Sequence, residues 1–356
     1  IAGTASFKSA TEVEVVGTKG KKKTMIQSDN VIIATGARNR EVPGLETDGK
    51  RVISSKEAMV LDDIPKSMII IGAGAIGAEF ASFYSEYGTE IHLVEMLPEL
   101  LPVEDVDISK LLKKLFEERG INVHNSAKVD KIECLKTKVK VNVTKEGRKE
   151  VLEAQLALLA IGVQGNVERL GLKKVGVNVN KSYIQVNDVC QTSVPSIYAI
   201  GDVIGPPWLA HVASAEGRVA VEHICGKEPE PLNYGNIPGC TYCRPQVASV
   251  GMTEKAAKDA GYTIKIGRFP MRASGKALAL GETEGFVKVI FDEKYGELLG
   301  CHIIGPEATE LIAEAGAVRT LETTHEEVLR TVHAHPTISE SFMEAVADAY
   351  DEAIHI

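Results

Sequence analysis

The sequence contains a glycine pattern that suits the binding of a dinucleotide. Gly72, Gly74 and Gly77 directly follow the apolar stretch Met68–Ile71 in the order Gly-x-Gly-x-x-Gly, and a helical pattern comes after them. The first glycine permits a tight turn, the second lets the backbone approach a pyrophosphate, and the third lets helix and strand pack closely. The free N–H groups of a helix N-terminus also attract phosphate. The sequence therefore predicts a Rossmann-like nucleotide site at this turn.

An acidic residue further along indicates which nucleotide this site prefers. Glu95 closes the next predicted strand, Ile91–Val94. A carboxylate at this place accepts hydrogen bonds from ribose hydroxyls and repels a 2′-phosphate, and neither Met96 nor Leu97 supplies a cation for such a phosphate. We therefore expect NAD rather than NADP. Glu79 has two interpretations that stay open: it lines the nicotinamide side, or it is a helix-dipole acid.

Two cysteines have the spacing of redox and zinc sites. Cys240 and Cys243 are separated by two residues and flanked by Pro238 and Pro245. No second cysteine or histidine pair has matching spacing, so we expect no metal site. Six cysteines in 356 residues are few for a disulfide-stapled secreted protein and fit a reducing compartment. We interpret the pair as ordinary thiols.

The elements that must position these residues indicate an α/β protein. The glycine turn lies in a compact α/β unit with a second helix near 106–119 and strands predicted as a meander over 127–160. Earlier, short strands surround a lysine-rich turn at 17–23, interpreted as a solvated hairpin tip. The C-terminal part predicts strands near 246–251, 263–269, 285–291 and 297–304, then helices near 307–322 and 338–350.

Composition narrows the class of partner. Forty Lys and Arg against 49 Asp and Glu give a net charge of −9 and a pI near 5.6. Such an acidic chain is not expected to bind nucleic acid or an anionic membrane. No apolar run is long enough to span a bilayer. The start, Ile1-Ala-Gly-Thr4, has neither an initiator Met nor a signal sequence, so we expect a processed chain or part of a longer one.

Five motifs in this order make the chain resemble the pyridine nucleotide–disulfide oxidoreductases, most closely the members that oxidise dihydrolipoamide. The motifs are Thr35-Gly36, the glycine fingerprint with Glu95, Tyr198-Ala-Ile-Gly-Asp202, Leu209-Ala-His211, and His333-Ala-His335-Pro-Thr-Ile-Ser-Glu340. The last of these motifs is the most specific one. The resemblance covers essentially the whole chain. It implies four segments: a partial FAD-binding domain (1–64), an NAD-binding domain (65–165), the second FAD-binding segment (166–228) and an α+β dimerisation domain (229–356).

The resemblance also assigns residues to two cofactors and to an acid–base pair. It implies that His335 is the general acid/base and that Glu340 orients it, a pairing suited to taking a proton from a thiol. His333 does not match the catalytic position and is interpreted as structural. The resemblance implies NAD contacts at Gly72, Gly74, Gly77, Glu79, Glu95 and Gly162. It implies FAD contacts at Thr35, Gly36, Asp202, Leu209, Ala210 and His211.

The chain departs from the family in three places. The family often has Gly-Arg-x-Pro-Asn where this chain has Gly162-Val-Gln-Gly-Asn166, so the arginine's role is in doubt. A first Gly-rich fingerprint for the FAD pyrophosphate and a Cys-x-x-x-x-Cys redox disulfide are not found in these 356 residues. The resulting expectation is a truncated chain that is inactive by itself and whose FAD binding is doubtful.

Three functions follow as expectations. The first is oxidation of a dihydrolipoyl dithiol with NAD⁺ through FAD and a redox disulfide. The second is another disulfide reductase of the glutathione or mercuric type, which Glu95 disfavours because those enzymes generally use NADPH. The third is a catalytically silent NAD-binding and dimerisation module. The resemblance further implies a homodimer through the C-terminal domain, lipoyl domains of 2-oxo acid dehydrogenase or glycine cleavage complexes as partners, and a cytoplasmic or mitochondrial matrix location.

Overall fold

The computed structural model describes residues 1–20 and 22–356. Lys21, which belongs to the predicted lysine-rich hairpin tip, lies outside the described residues. The strands are β1 (Gly3–Phe7), β2 (Glu12–Gly17), β3 (Lys23–Gln27), β4 (Val31–Ile33), β5 (Ala37–Asn39), β6 (Val52–Ser54), β7 (Ser67–Ile71), β8 (Glu90–Val94), β9 (Asn122–His124), β10 (Ala127–Cys134), β11 (Val139–Lys145), β12 (Arg148–Ala154), β13 (Leu156–Leu159), β14 (Val163–Gly165), β15 (Val179–Asn180), β16 (Tyr183–Ile184), β17 (Ile197–Ala199), β18 (Gly239–Thr241), β19 (Gln246–Gly251), β20 (Ile264–Pro270), β21 (Phe286–Asp292) and β22 (Leu298–Gly305).

Ten helices lie between and after these strands in the described residues, in agreement with the predicted α/β class. They are α1 (Ser55–Ala58), α2 (Ala75–Glu86), α3 (Val106–Glu118), α4 (Leu172–Val175), α5 (Ala210–Ile224), α6 (Glu254–Asp259), α7 (Gly275–Leu280), α8 (Ala308–Thr320), α9 (His325–Arg330) and α10 (Glu340–Asp348). Within the described residues, no helix combines the length and the apolar character needed to cross a bilayer.

The chain divides into two compact units, and each consists of two separate stretches. Unit 1 contains residues 1–40 and 162–234, and unit 2 contains residues 41–161 and 235–356. Unit 1 holds the parallel pair β4–β17, the antiparallel sheet β1–β2–β3 and helix α5. Its core gathers apolar side chains such as Phe7, Ile33 and Ile197. The four domain segments predicted from the sequence stay a prediction.

The first half of unit 2 is a parallel sheet with the strand order β6–β13–β7–β8–β9. Its central strand β7 is buried on both faces, which is why its sequence is continuously apolar rather than alternating. Helix α3 packs its apolar stripe, including Ile108, Leu112 and Phe116, into the same core. The predicted strand–turn–helix order around the glycine fingerprint is confirmed.

One strand prediction was wrong in this half. Residues 127–160 were expected to form one meander, and β10–β11–β12 do form an antiparallel meander. Strand β13, however, pairs in parallel with β6 and β7. The distinction was visible in the sequence, because Leu156–Leu159 is a continuous apolar run typical of a strand buried on both faces.

The second half of unit 2 is an antiparallel sheet with the order β18–β19–β22–β21–β20. Helix α8 packs against β19 and β22, and helix α10 packs against β20 and β21. The four longer strands and both helices agree with the sequence prediction within two residues at every end. The helices α6, α7 and α9 were missed because each has only six residues.

A buried lysine joins the two halves of unit 2. Lys288 on β21 is fully buried, and its Nζ lies 2.8 Å from Asp105, 2.7 Å from Asp107 and 2.7 Å from Glu254. Asp105 is itself buried and caps α3 by accepting from the Asp107 N–H. Burial acts to lower the pKa of Lys288, but the three carboxylates have the larger combined effect, so the pKa is raised. The charged amine therefore fixes the start of α3 against the C-terminal sheet.

We expect Lys288→Met to lower the free energy of unfolding by about 3–5 kcal/mol, because it leaves the buried carboxylate of Asp105 without a counter-charge. Chemical denaturation measures this change. Lys255→Met is the matched control, since Lys255 pairs with Asp259 while both side chains are exposed. Exposed pairs contribute only about 0–1 kcal/mol. Equal losses in the two variants would contradict the role assigned to Lys288.

Candidate nucleotide and acid–base sites

The glycine turn between β7 and α2 has two positions that exclude any side chain. Gly72 has φ +98°, and a Cβ there would lie 2.4 Å from the carbonyl oxygen of Ala160. A Cβ at Gly77 would lie 1.8 Å from the carbonyl oxygen of Gly72. Gly72 therefore permits the tight turn beside the chain that follows β13, and Gly77 lets helix α2 pack closely against that turn.

Glycine suits position 74 for a different reason. No heavy atom lies within 4 Å of the position of a Cβ there, so the protein itself leaves this space open. Gly74 is also the N-cap of α2, and no side chain caps the helix. Open space in front of uncapped N–H donors is what a pyrophosphate group requires. The turn thus fits a dinucleotide.

Glu95 lies beside this turn, directly after β8. One carboxylate oxygen accepts from the Ala73 N–H at 2.7 Å, and the other accepts from the Leu97 N–H at 2.8 Å. Two backbone donors hold the carboxylate in one orientation, and each oxygen retains a lone pair for a ribose hydroxyl. The structure therefore brings Glu95 to the fingerprint, although their role in NAD binding stays a prediction.

Glu79 points toward the segment that follows β18. Its Oε1 accepts from the Tyr242 N–H at 2.9 Å, and the Arg244 N–H donates to Ser82 Oγ at 2.9 Å. Burial raises the pKa of Glu79, while the Tyr242 N–H acts in the opposite direction. Glu79 lies in the second turn of α2, and the first turn has no acid, so the helix-dipole interpretation loses support. Its contact with nicotinamide stays a prediction.

Three of the residues predicted to contact FAD, Thr35, Gly36 and Asp202, follow two neighbouring strands of unit 1. Strands β4 and β17 are parallel neighbours, so Thr35 and Asp202 follow them at the same end. The Thr35 hydroxyl donates to the Asn166 carbonyl at 2.8 Å, and the Asn166 amide donates to the Thr35 carbonyl at 2.9 Å. Gly36 has φ +66° and open space at its Cβ position. Within the described residues, the Asp202 carboxylate makes no hydrogen bond or ion pair, so its oxygens are available to hydroxyl donors.

The N-terminus of α5 lies in the same unit. Leu209 is its N-cap without a side-chain cap, and Ala210 and His211 form the exposed first turn. Uncapped N–H groups in this turn are donors for a carbonyl-rich ring system. This end of α5 therefore suits the predicted FAD contact, which stays a prediction.

Sequence reasoning missed a buried carboxylate that supports the turn at Asp202. Glu216 on α5 is 3% exposed, accepts from the Gly201 N–H at 2.6 Å and accepts from the Tyr234 hydroxyl at 2.8 Å. The bond to Gly201 fixes the turn that carries Asp202. A signal was available, because Glu216 lies on the helix face otherwise formed by Val212, Val219 and Ala220.

Gly162 belongs to unit 1, whereas the fingerprint belongs to unit 2. It has φ +95°, and the Arg40 guanidinium lies 4.0 Å from the position of a Cβ there. The Arg40 N–H donates to the Gly162 carbonyl at 3.0 Å. An arginine therefore lies beside Gly162, although position 163 itself is Val. The predicted NAD contact of Gly162 is not tested by this placement.

His335 and Glu340, the predicted acid–base pair, are in contact, and their catalytic role stays a prediction. His335 Nδ1 lies 3.0 Å from Glu340 Oε1, and the Thr337 N–H donates to Glu340 Oε2 at 2.9 Å. Burial acts to raise the pKa of Glu340, but the Thr337 N–H and the imidazole of His335 lower it overall. The His335 side chain is 77% exposed, so its other ring nitrogen is open to an incoming thiol.

Neither His333 nor the pair Cys240 and Cys243 offers an exposed imidazole beside a carboxylate. His333 is held by Glu314 at 2.7 Å and is nearly buried, which agrees with a structural role. Cys243 is buried, and burial raises the pKa of its thiol to about 12. Burial also raises the pKa of Cys240. Among the described residues, no group of three or more His, Cys, Asp or Glu is placed to hold a metal ion.

Comparison with known proteins defines the class. Residues 2–217 match the pyridine nucleotide-disulphide oxidoreductase family, and residues 237–346 match the dimerisation domain of that family. The chain belongs to the pyridine nucleotide-disulphide oxidoreductases. Members of this family and its dihydrolipoyl dehydrogenases use FAD and NAD.

Curated relatives and solved structures agree with this membership. The chain is 49% identical to a dihydrolipoyl dehydrogenase of Rhizobium etli, over 92% of this chain and 68% of that protein. It is 48% identical to a dihydrolipoyl dehydrogenase of Chlorobaculum tepidum, over 91% of this chain and 70% of that protein. The crystal structure of LpdA from Mycobacterium tuberculosis has a TM-score of 0.90 at 29% identity, covering 97% of this chain and 76% of that one. The flavoprotein disulfide reductase RclA from Escherichia coli has a TM-score of 0.88 at 26% identity, covering 98% of this chain and 78% of that one.

We expect Gly74→Ala to weaken NADH binding about tenfold or more without unfolding the protein, because the added methyl enters space that only a ligand would occupy. Fluorescence titration with NADH measures the affinity. Gly316→Ala is the control, since a Cβ there also has nothing within 4 Å but lies in α8. Unchanged NADH affinity in Gly74→Ala would show that the nucleotide lies elsewhere.

Proposed function

We propose that the protein acts as a dihydrolipoyl dehydrogenase, which oxidises a dihydrolipoyl dithiol to the disulfide and reduces NAD⁺. The contact between His335 and Glu340 carries this proposal, since it pairs an exposed imidazole with a carboxylate at 3.0 Å. Relatives named dihydrolipoyl dehydrogenase, at 49% and 48% identity, support the substrate class.

The pair suits the removal of a proton from a thiol. With Glu340 ionised, the Nδ1–H of His335 donates to it, and the lone pair is placed on Nε2. The exposed Nε2 then takes the thiol proton while Glu340 stabilises the imidazolium that forms. The Thr337 N–H keeps Glu340 in place during this transfer. His335 alone touches the reacting thiol, and Glu340 acts through it.

The remaining roles belong to cofactor contacts. When bound, FAD and NAD⁺ supply the path for the two electrons that the dithiol loses. Asp202 would hold ribityl hydroxyls of the flavin, and the first turn of α5 would face its ring. Gly74 would approach the pyrophosphate of NAD⁺, and Glu95 would hold its ribose. The carboxylate of Glu95 favours NAD⁺ over NADP⁺, which argues against a glutathione- or mercuric-type reductase.

We expect His335→Gln in the complete holoprotein to lower kcat about 10²–10⁴-fold, because the thiol loses its proton acceptor. Glu340→Gln removes only the orienting charge and is expected to lower kcat less. The measurement is dithiol-dependent formation of NADH at saturating dihydrolipoamide. A holoprotein with bound FAD and NAD⁺ but no dithiol-dependent turnover would instead favour the silent NAD-binding module.

His333→Gln serves as the matched control for this experiment. His333 lies two residues away, is held by Glu314 and has a side chain only 6% exposed. Its replacement is expected to lower the melting temperature while kcat stays within about threefold of the wild type. Equal losses of kcat in the His333 and His335 variants would remove the special role of His335.

We also propose that a polypeptide consisting only of these 356 residues lacks the dithiol reaction. Part of the support comes from the thiols: Cys190, Cys243 and Cys301 are buried, and burial raises the pKa of each, whereas Cys134 and Cys225 are exposed. Buried, protonated thiols are poor nucleophiles. No two cysteines of this sequence have the Cys-x-x-x-x-Cys spacing of the family's redox disulfide.

Such a polypeptide is expected to bind NADH while showing no dihydrolipoamide-dependent reduction of NAD⁺, because the fingerprint and Glu95 lie within it. Its visible absorption spectrum reports whether a flavin is bound, and NADH titration reports the nucleotide site. Turnover of dihydrolipoamide by this polypeptide would contradict the proposal.

Two partner proposals accompany the activity. A homodimer through the C-terminal domain is supported by the match of residues 237–346 to the family's dimerisation domain. Lipoyl domains of 2-oxo acid dehydrogenase or glycine cleavage complexes are the proposed macromolecular substrates. The expected cytoplasmic or matrix location stays a prediction.

A further inference from the structure

A second histidine–glutamate pair lies one helical turn from the first. Glu344 follows Glu340 by four residues on α10, so both carboxylates are on the same face of the helix. His355 Nδ1 lies 2.6 Å from Glu344 Oε1. The N–H groups of Ile354 and His355 also donate to Glu344 Oε2, at 3.3 and 3.4 Å. Residues 354–355 therefore fold back onto α10.

The two pairs border the same small cavity. Its volume is about 60 Å³, and it is lined by His335, Glu340, Glu344 and His355 together with Phe269, Ala273, Ser274 and Gly275. These four titratable side chains are the charged groups of the lining; the other four lining residues are uncharged, and Ser274 is the polar one among them. The cavity has room for about one or two water molecules, which such polar groups can hold.

The charges of the two pairs influence each other. Glu344 is nearly buried and raises the pKa of His355, first by its hydrogen bond and then by its charge. Glu340 adds to this increase. In return, the charge of His355 is one of the causes that lower the pKa of Glu340, after the Thr337 N–H and His335. The imidazolium of His355 thus stabilises the anionic form of Glu340.

We propose that His355 and Glu344 are positioning residues for the acid–base pair: Glu344 holds the ring of His355 at the cavity, and His355 places a positive charge beside Glu340. Loss of that charge makes protonation of the His335–Glu340 pair easier, so a higher pH is needed for the pair to accept a proton from a thiol. The inference rests on the proposed dithiol oxidation, in which His335 is the proton acceptor.

The pH profile of the complete holoprotein tests the proposal. In His355→Gln, we expect the midpoint of the acid side of the kcat/KM profile to rise by roughly half a pH unit, as for loss of one partly screened neighbouring charge. Above this midpoint, kcat/KM should remain within about twofold of the wild type. His355→Lys, which restores a positive charge, should return the midpoint toward the wild-type value.

Two further variants distinguish an effect of the His355 charge from a change in the structure. Glu344→Gln combined with His355→Gln removes one charge of each sign and should leave the midpoint near that of the wild type. Arg330→Gln removes a positive charge from an exposed pair with Glu326 in the same half of unit 2, and should shift nothing. A uniform loss of kcat/KM at every pH in His355→Gln, with an unmoved midpoint, would overturn the proposal in favour of a merely structural pair.

A titration that needs no turnover distinguishes this inference from the proposed function. Coupling between two sites is reciprocal, so removal of the Glu340 charge must affect His355. In ring-labelled protein, we expect NMR to show a lower titration midpoint for His355 in Glu340→Gln than in the wild type. Glu344→Gln should lower it further, toward about 6.5. An identical His355 midpoint in the wild type and Glu340→Gln would overturn the inference even if the enzyme is active, whereas a shift would support it even if turnover fails.

Discussion

The organisation of unit 2 depends on one buried charge. Lys288 has no exposed surface and bonds Asp105, Asp107 and Glu254, which belong to α3 and its cap and to α6. Loss of such partners would leave a buried charge uncompensated, so these bonds hold the start of α3 against β21. The parallel sheet with the glycine turn and the antiparallel sheet with α10 are therefore held as one body. The glycine turn and the His335–Glu340 contact share this framework.

The sequence was sufficient to predict the features that depend on residues close together in the chain. The glycine fingerprint is a strand, a turn and a helix in succession, so its three glycines and Glu95 could be placed from spacing alone. The pair His335–Glu340 spans five residues and forms as expected. Helix α3 and the long C-terminal strands also follow from periodicity, because each is long enough to show its period.

Features that depend on distant parts of the chain could not be predicted in this way. The carboxyl partners of Lys288 are between 34 and 183 residues away, so no local pattern reveals them. Thr35 and Asn166 are 131 residues apart, and the predicted flavin contacts came from a resemblance rather than from spacing. His355 was passed over because its partner Glu344 gives no signal until the chain folds back. Glu216 was detectable only as a charge on an apolar helix face.

The attachment of helix α2 to the C-terminal sheet has a different character. Tyr242 and Arg244 bind Glu79 and Ser82 through their main-chain N–H groups and not through their side chains. Nearly any amino acid could replace either residue and keep the same bond, since all except proline carry this donor. These two hydrogen bonds to helix α2 therefore depend on the main chain at positions 242 and 244 and not on which amino acids occupy them. Related proteins can therefore keep both hydrogen bonds while their amino acids at positions 242 and 244 differ.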